Sequence, residues 1–122
     1  MNGAIIATWG TPVRGREAKA LEVFGKVLAH YDDLAKQGRI HSHREYFSLT
    51  GNASKWGGMQ IVEGETEELL KLQMEESTRR LTAEAQQIVE NFTVQICVGG
   101  SERSIADEMT MYAETLKALG YL

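Results

Sequence analysis

Few residues in this chain have the types and spacing that chemistry requires. His41-Ser42-His43 sets two histidines two residues apart. On a strand their side chains share a face about 7 Å apart along the backbone, close enough for both imidazoles to meet one metal ion. Glu45 shares that face but lies about 13 Å from His41 by the same geometry. No further Cys/His cluster offers a third ligand, so the expectation is no metal, with His41 and His43 as packing or surface residues. If Phe47 faces the helices, alternation turns both histidines to that side as well.

Gly10-Thr11-Pro12-Val13-Arg14-Gly15-Arg16-Glu17 has the glycine spacing of a phosphate-binding loop between a strand and a helix. Arg16 and Glu17 stand where the Lys and Ser/Thr of such a loop belong, which rejects that reading. A weaker anion site survives in Arg14 and Arg16 beside a helix N-terminus, against the alternative of ordinary surface arginines. His30 neighbours Asp32 and Asp33 and has the pairing that tunes an imidazole near neutral pH. A histidine near a helix C-terminus, favoured there by the dipole, is the simpler reading. Cys97, the one cysteine, lies in an apolar run and reads as an inert thiol, and no intrachain disulfide can form. Trp9, Tyr46 and Trp56 suit interface packing more readily than a stacking platform.

The composition limits the partners. With 122 residues, 43% hydrophobic and 25% charged, the chain has the balance of one globular domain, residues 1–122. A net charge of −4 and the lack of a basic-aromatic signature argue against nucleic acid. Residues 1–62 carry +3 and residues 63–122 carry −7. That split reads as solvated helix faces or as attraction between the halves of neighbouring subunits. No run approaches the length of a membrane span, and no signal peptide is visible, so the expected location is cytoplasmic.

The elements that must position these residues follow from periodicity. Residues 3–9 read as a buried strand, and about 15–37 as a helix with Leu21, Phe24, Leu28, Tyr31 and Ala35 on one stripe. Residues 40–49 and 55–63 read as a hairpin around Thr50-Gly51-Asn52-Ala53-Ser54. Residues 66–89 are helical, broken near Glu75-Glu76-Ser77-Thr78 with Ser77 or Thr78 restarting the second helix. Residues 92–98 alternate as a strand, and 102–119 form a last helix capped by Ser101 or Ser104. The order β-α-β-β-α-β with a C-terminal helix predicts an α+β, ferredoxin-like domain with its main helices on one face of an antiparallel sheet.

The other face needs a cover. Alternation assigns Ser42, Arg44, Tyr46, Thr93, Gln95 and Cys97 to the open face, with Phe47, Leu49, Phe92, Val94, Ile96 and Val98 facing the helices. Trp56, Gly58, Gln60 and Val62, and less clearly Ile5, Ala7 and Trp9, are also assigned to the open face. Such a mixture of aromatic, charged and amide side chains suits a subunit interface enclosing a pocket.

The element order, the length and this mixed face resemble the dimeric α+β barrel superfamily. The stretch from Trp9 to Glu17, Gly38-Arg39-Ile40 and Gly57-Gly58 are similar to an uncharacterised bacterial branch of it. The resemblance implies a homodimer packed sheet against sheet, with no cofactor. It implies a small organic ligand between the sheets and, if the protein is an enzyme, cofactor-independent oxygenation, isomerisation or related proton transfer. Arg44 would anchor a negative group and Tyr46 would donate a hydrogen bond, with Trp9, Trp56, Gln60 and Gln95 shaping the pocket. Haem-degrading members use an Asn, a Trp and a helix-borne His. Asn2 and Trp56 offer the first two, but residues 64–90 contain no histidine, which counts against haem. The alternative function is a non-catalytic interaction module whose open face only forms the interface.

Overall fold

The Ile- and Ala-rich opening segment becomes an inner strand of the sheet in a computed structural model that describes residues 1–122. β1 (Asn2–Trp9) leads to α1 (Glu17–Lys36), β2 (Ser42–Phe47) and β3 (Gly58–Glu65). Then come α2 (Thr66–Met74), α3 (Glu76–Ile88), β4 (Thr93–Val98) and α4 (Glu102–Ala118). The four strands lie in the order β2-β3-β1-β4, and each neighbouring pair is antiparallel. The expected element order is therefore present. Ser101 caps α4 by accepting the Ser104 N–H at 3.1 Å. The β2 strand is shorter than expected, so Leu49 does not face the helices but lies beyond the strand, 97% exposed.

The long helical stretch does break, one or two residues earlier than its serine and threonine suggest. Glu75 is extended (φ −72°, ψ 142°) and separates α2 from α3. Its carboxylate takes two hydrogen bonds from Arg39, at 2.9 and 2.6 Å, while Arg39 Nε donates to Glu68 at 2.8 Å. The bidentate guanidinium fixes the corner and holds the Glu75 carboxyl below the usual carboxylate range. Here the charge asymmetry of the sequence is resolved inside one chain. Arg39 meets Glu68 and Glu75, Lys26 meets Glu84, and Arg44 meets Glu63.

The broken helix sets the shape of the layer above the sheet. α2 lies against β1, β3 and β4, whereas α3 packs on α1 and α2. The core accordingly forms two clusters. One joins Ile5, Tyr31, Leu34, Ile40, Val62, Leu69 and Leu72, and the other joins Ala20, Val23 and Ile88.

Strand register corrects half of the face assignment. Directly opposed residues of an antiparallel pair share a face. Ala7 is opposite both Gln60 and Val94, Ile5 is opposite Val62 and Ile96, and Phe47 is opposite Gly58. β2 and β4 keep the parity that alternation gives them. That parity then turns Ile5, Ala7, Trp9, Gly58, Gln60 and Val62 towards the helices, opposite to expectation. Both faces of β1 and β3 are apolar enough that alternation alone does not choose between them. A steric detail locks the choice. A Cβ on Gly58 would come within 2.5 Å of the Trp9 indole, so the absence of a side chain there lets the ring lie across β3.

Candidate functional site

The corrected parity gathers side chains around a cavity of about 440 Å³ between the sheet and helices α1 and α3. It takes Ile5 and Tyr31 from the first core cluster and Ala20, Val23 and Ile88 from the second. The space has two structural sources. α3 stands off the sheet, and the facing positions Ala7, Ala20, Ala53, Gly57 and Ala85 have small or no side chains. Its volume lies in the range of small-molecule sites, which run from about 300 to 1,000 Å³.

The walls differ from end to end. Trp9, Phe24 and Phe47 form an aromatic run with ring centroids 6.1 and 5.4 Å apart. Leu21 and Phe47, at 77% and 66% exposure, form an apolar lip where this end meets solvent. Gln60, Tyr31, Gln73 and Thr78 place amides and hydroxyls among the lining residues. Burial pushes the Tyr31 phenol up, and the neighbouring Gln73 amide acts in the opposite sense. The buried Thr78 hydroxyl pairs with His30 Nε2 at 3.0 Å, and burial pushes His30 down, towards the neutral form. Glu17 is the single charged residue in the lining, and no Lys or Arg contributes.

Behind Gln60 runs a chain of ionic hydrogen bonds. Asp32 Oδ1 lies 2.6 Å from His43 Nε2, and Glu45 Oε2 lies 2.6 Å from His43 Nδ1. Gln60 Nε2 donates to the same Glu45 oxygen at 2.9 Å. Burial alone would push His43 down, but its hydrogen bonds to Glu45 and Asp32 outweigh that and hold it above its ordinary value. His43 thus faces the helix side, as the position of Phe47 demands. His41 is largely exposed, with Glu65 at 4.0 Å. No group of three or more His, Cys, Asp or Glu side chains is placed to hold a metal ion.

The residues assigned to a ligand from sequence are divided among three places. Trp9 and Gln60 line the cavity. Arg44, Tyr46 and Trp56 line an open groove on the other sheet face, together with Met59 and Ile61. Gln95 is exposed on β4, outside both. Arg44 is paired with Glu63 on the neighbouring strand. Arg16 donates to the Gln87 carbonyl near the C-terminus of α3, a helix whose last turn carries no basic residue. It therefore serves a helix end. Arg14 is exposed. Cys97 is half-buried on the open face, opposite Ala4.

Sequence reasoning missed Tyr31, Gln73 and Thr78 as cavity residues and Glu45 as the partner of Gln60. A tyrosine on the apolar stripe of a helix carries one usable signal, because a buried hydroxyl needs a partner.

Comparison with solved structures decides the architecture. A dimeric protein of unknown function from Bacteroides fragilis, described as having a ferredoxin-like fold, superposes with a TM-score of 0.58 at 9% identity. The match covers 78% of this chain and 93% of that one. The fold is ferredoxin-like. An ethyl tert-butyl ether D (EthD) family protein from Bacillus halodurans shares this ferredoxin-like architecture at a TM-score of 0.59 and 15% identity, covering 83% of this chain and 99% of that one. No protein-family model matches the sequence, and no curated protein matches it. No helix is long and apolar enough to cross a membrane.

Proposed function

We propose that this protein binds a small, mostly apolar organic molecule in the cavity between the sheet and helices α1 and α3. The observation that carries the reading is an unfilled volume of about 440 Å³ with an aromatic run and buried polar groups in its walls. The groove on the open face is no smaller, about 500 Å³, but 9 residues line it against 26 here. The space under α1 and α3 therefore surrounds a ligand more completely and favours ligand binding over a purely structural module. The absence of cationic lining favours an uncharged ligand, not the anion that Arg44 was expected to anchor.

A second copy of the chain is proposed to cover the open sheet face. Ile6 and Ile61 sit opposite each other in its centre, with Thr8 and Met59 beside them and the Arg44–Glu63 pair towards one edge. This arrangement of apolar centre and polar rim suits an interface. The named Bacteroides fragilis relative is itself dimeric.

Isothermal titration with uncharged bicyclic aromatics tests the binding reading. One-to-one binding per chain, abolished by plugging the cavity with Ala85→Phe, is the expected result. Binding that survives the plug, or no binding by any member of the series, would overturn it.

A further inference from the structure

We infer that the cavity selects ligands that carry a hydrogen-bond donor, a phenol or alcohol on an apolar ring system, because Glu45 fixes the Gln60 amide with its oxygen towards the ligand. This deepens the cavity reading and rests on it.

An amide side chain ordinarily presents either end to a ligand, since its two ends exchange by a simple flip. Here the partner removes that freedom. An ionised carboxylate only accepts hydrogen bonds, and Glu45 Oε2 already takes one from His43 Nδ1 at 2.6 Å. His43 has carboxylate oxygens at 2.6 Å from both ring nitrogens, Asp32 on one side and Glu45 on the other. With each ring nitrogen donating to its carboxylate, His43 is an imidazolium, the form that these hydrogen bonds favour against burial. Gln60 must therefore turn its NH₂ end to Glu45, at 2.9 Å.

The other end is left with nothing from the protein. Gln60 is 5% exposed and lines the cavity, and its only side-chain hydrogen bond is the one to Glu45. Glu84 Oε2 is the one fully buried side-chain atom without a partner, so Gln60 Oε1 is open to a molecule in the cavity, and a ligand hydroxyl there takes the place of water. An ether or ketone at the same place puts oxygen against oxygen. A carboxylate fares worse, because the negative charge of Glu45 lies directly behind the amide and no cation lines the cavity.

Three probes of one shape separate the outcomes by titration calorimetry: 2-naphthol, 2-methoxynaphthalene and 2-naphthoate. The intact protein is expected to bind 2-naphthol about tenfold tighter than the methyl ether, the scale of one satisfied buried hydrogen bond, and 2-naphthoate more weakly than both. Gln60→Met keeps the volume and removes the acceptor, and is expected to bring naphthol and ether to equal affinity. Glu45→Gln frees the Gln60 amide to flip and offers its NH₂ to the ether, so the preference collapses there too, in a protein that keeps Gln60. Either variant suffices if the other does not fold. Equal binding of naphthol and ether by the intact protein, or a preference unchanged in the folded variants, overturns this inference and leaves the cavity reading standing. If none of the three probes binds, both fall.

Discussion

The two faces of one sheet carry opposite problems. On the helix face, α3 stands away from the strands and small residues leave a volume that the chain does not fill. On the open face, Ile6, Met59 and Ile61 are half-buried with no helix over them, and their charged neighbours Arg44 and Glu63 already satisfy each other. The first face lacks atoms inside the fold, and the second lacks a cover outside it. A void with buried amides suits a small molecule, whereas an open apolar groove with a paired polar edge suits a protein surface. Chemistry-bearing residue types alone do not separate the two, since each face holds one tryptophan and at least one tyrosine. Register separates them.

Four substitutions or conditions break or sharpen that contrast. Ile6→Lys places a charge in the centre of the open face, twice over in a symmetric dimer. Burying unpaired charge should weaken association by about 3–5 kcal/mol, seen as a shift from dimer to monomer in sedimentation velocity. Ligand affinity on the opposite face should hold within about twofold, as expected for sites without shared partners. A monomeric wild-type protein would remove the open-face half of the account.

Ala85→Phe fills the cavity from α3. Binding should fall by about a hundredfold, equivalent to about 2.7 kcal/mol. The melting temperature should stay level or rise as the void closes. A large loss of stability would mean that the space is not there to be filled.

Gly58→Ala tests the steric lock between β3 and Trp9. A Cβ 2.5 Å from the indole should cost about 2 kcal/mol by overpacking. The same substitution should cost much less in a Trp9→Ala background. Urea denaturation of the four proteins in this cycle measures the coupling. Additive costs would place the indole elsewhere.

The smallest effect concerns His43. Its folded pKa is raised by Glu45 and Asp32 against the opposing pull of burial. Its contribution to stability is therefore fully present below the unfolded histidine value of about 6.5 and is lost as pH rises through the folded value. His30 is shifted down by burial and acts in the opposite sense, losing stability as pH falls. The difference between wild type and His43→Gln isolates the first effect. That difference should shrink as pH rises from 5.5 to 8.5, and one that grows would reverse the assignment.

Much of the frame was legible in the residues. The switch from a helical period to strand alternation, the cap at Ser101 and the break near Glu75 all rest on local patterns, and the structure contains them. But α1 buries Ala20, Val23, Tyr31 and Leu34, so of the expected stripe only Tyr31 is buried and Leu21 is 77% exposed. β4 was readable because Val94 and Ile96 alternate with Thr93 and Gln95. β1 was not, because Ile5 and Ile6 are adjacent and both apolar, and the choice between them falls to pairing with distant strands. β3 misled more directly. Gln60 looks like an outward residue, yet its NH₂ group is held from within by Glu45 on the neighbouring strand. The cavity was invisible for a different reason. It consists of missing atoms at Ala7, Ala20, Gly57 and Ala85, which are scattered along the chain and meet only in the folded layer that breaks at Glu75.

The central claim is that the ligand site lies on the helix face, and the two tryptophans report on it directly. Trp9 lines the cavity, and Trp56 lines the groove on the open face. Protein labelled with 5-fluorotryptophan, its two ¹⁹F resonances assigned with Trp56→Phe, is titrated with 2-naphthol. A shift of the Trp9 resonance that saturates, with Trp56 unmoved, is the result expected. Saturation at Trp56 with Trp9 unmoved would put the ligand between the sheets and contradict the account.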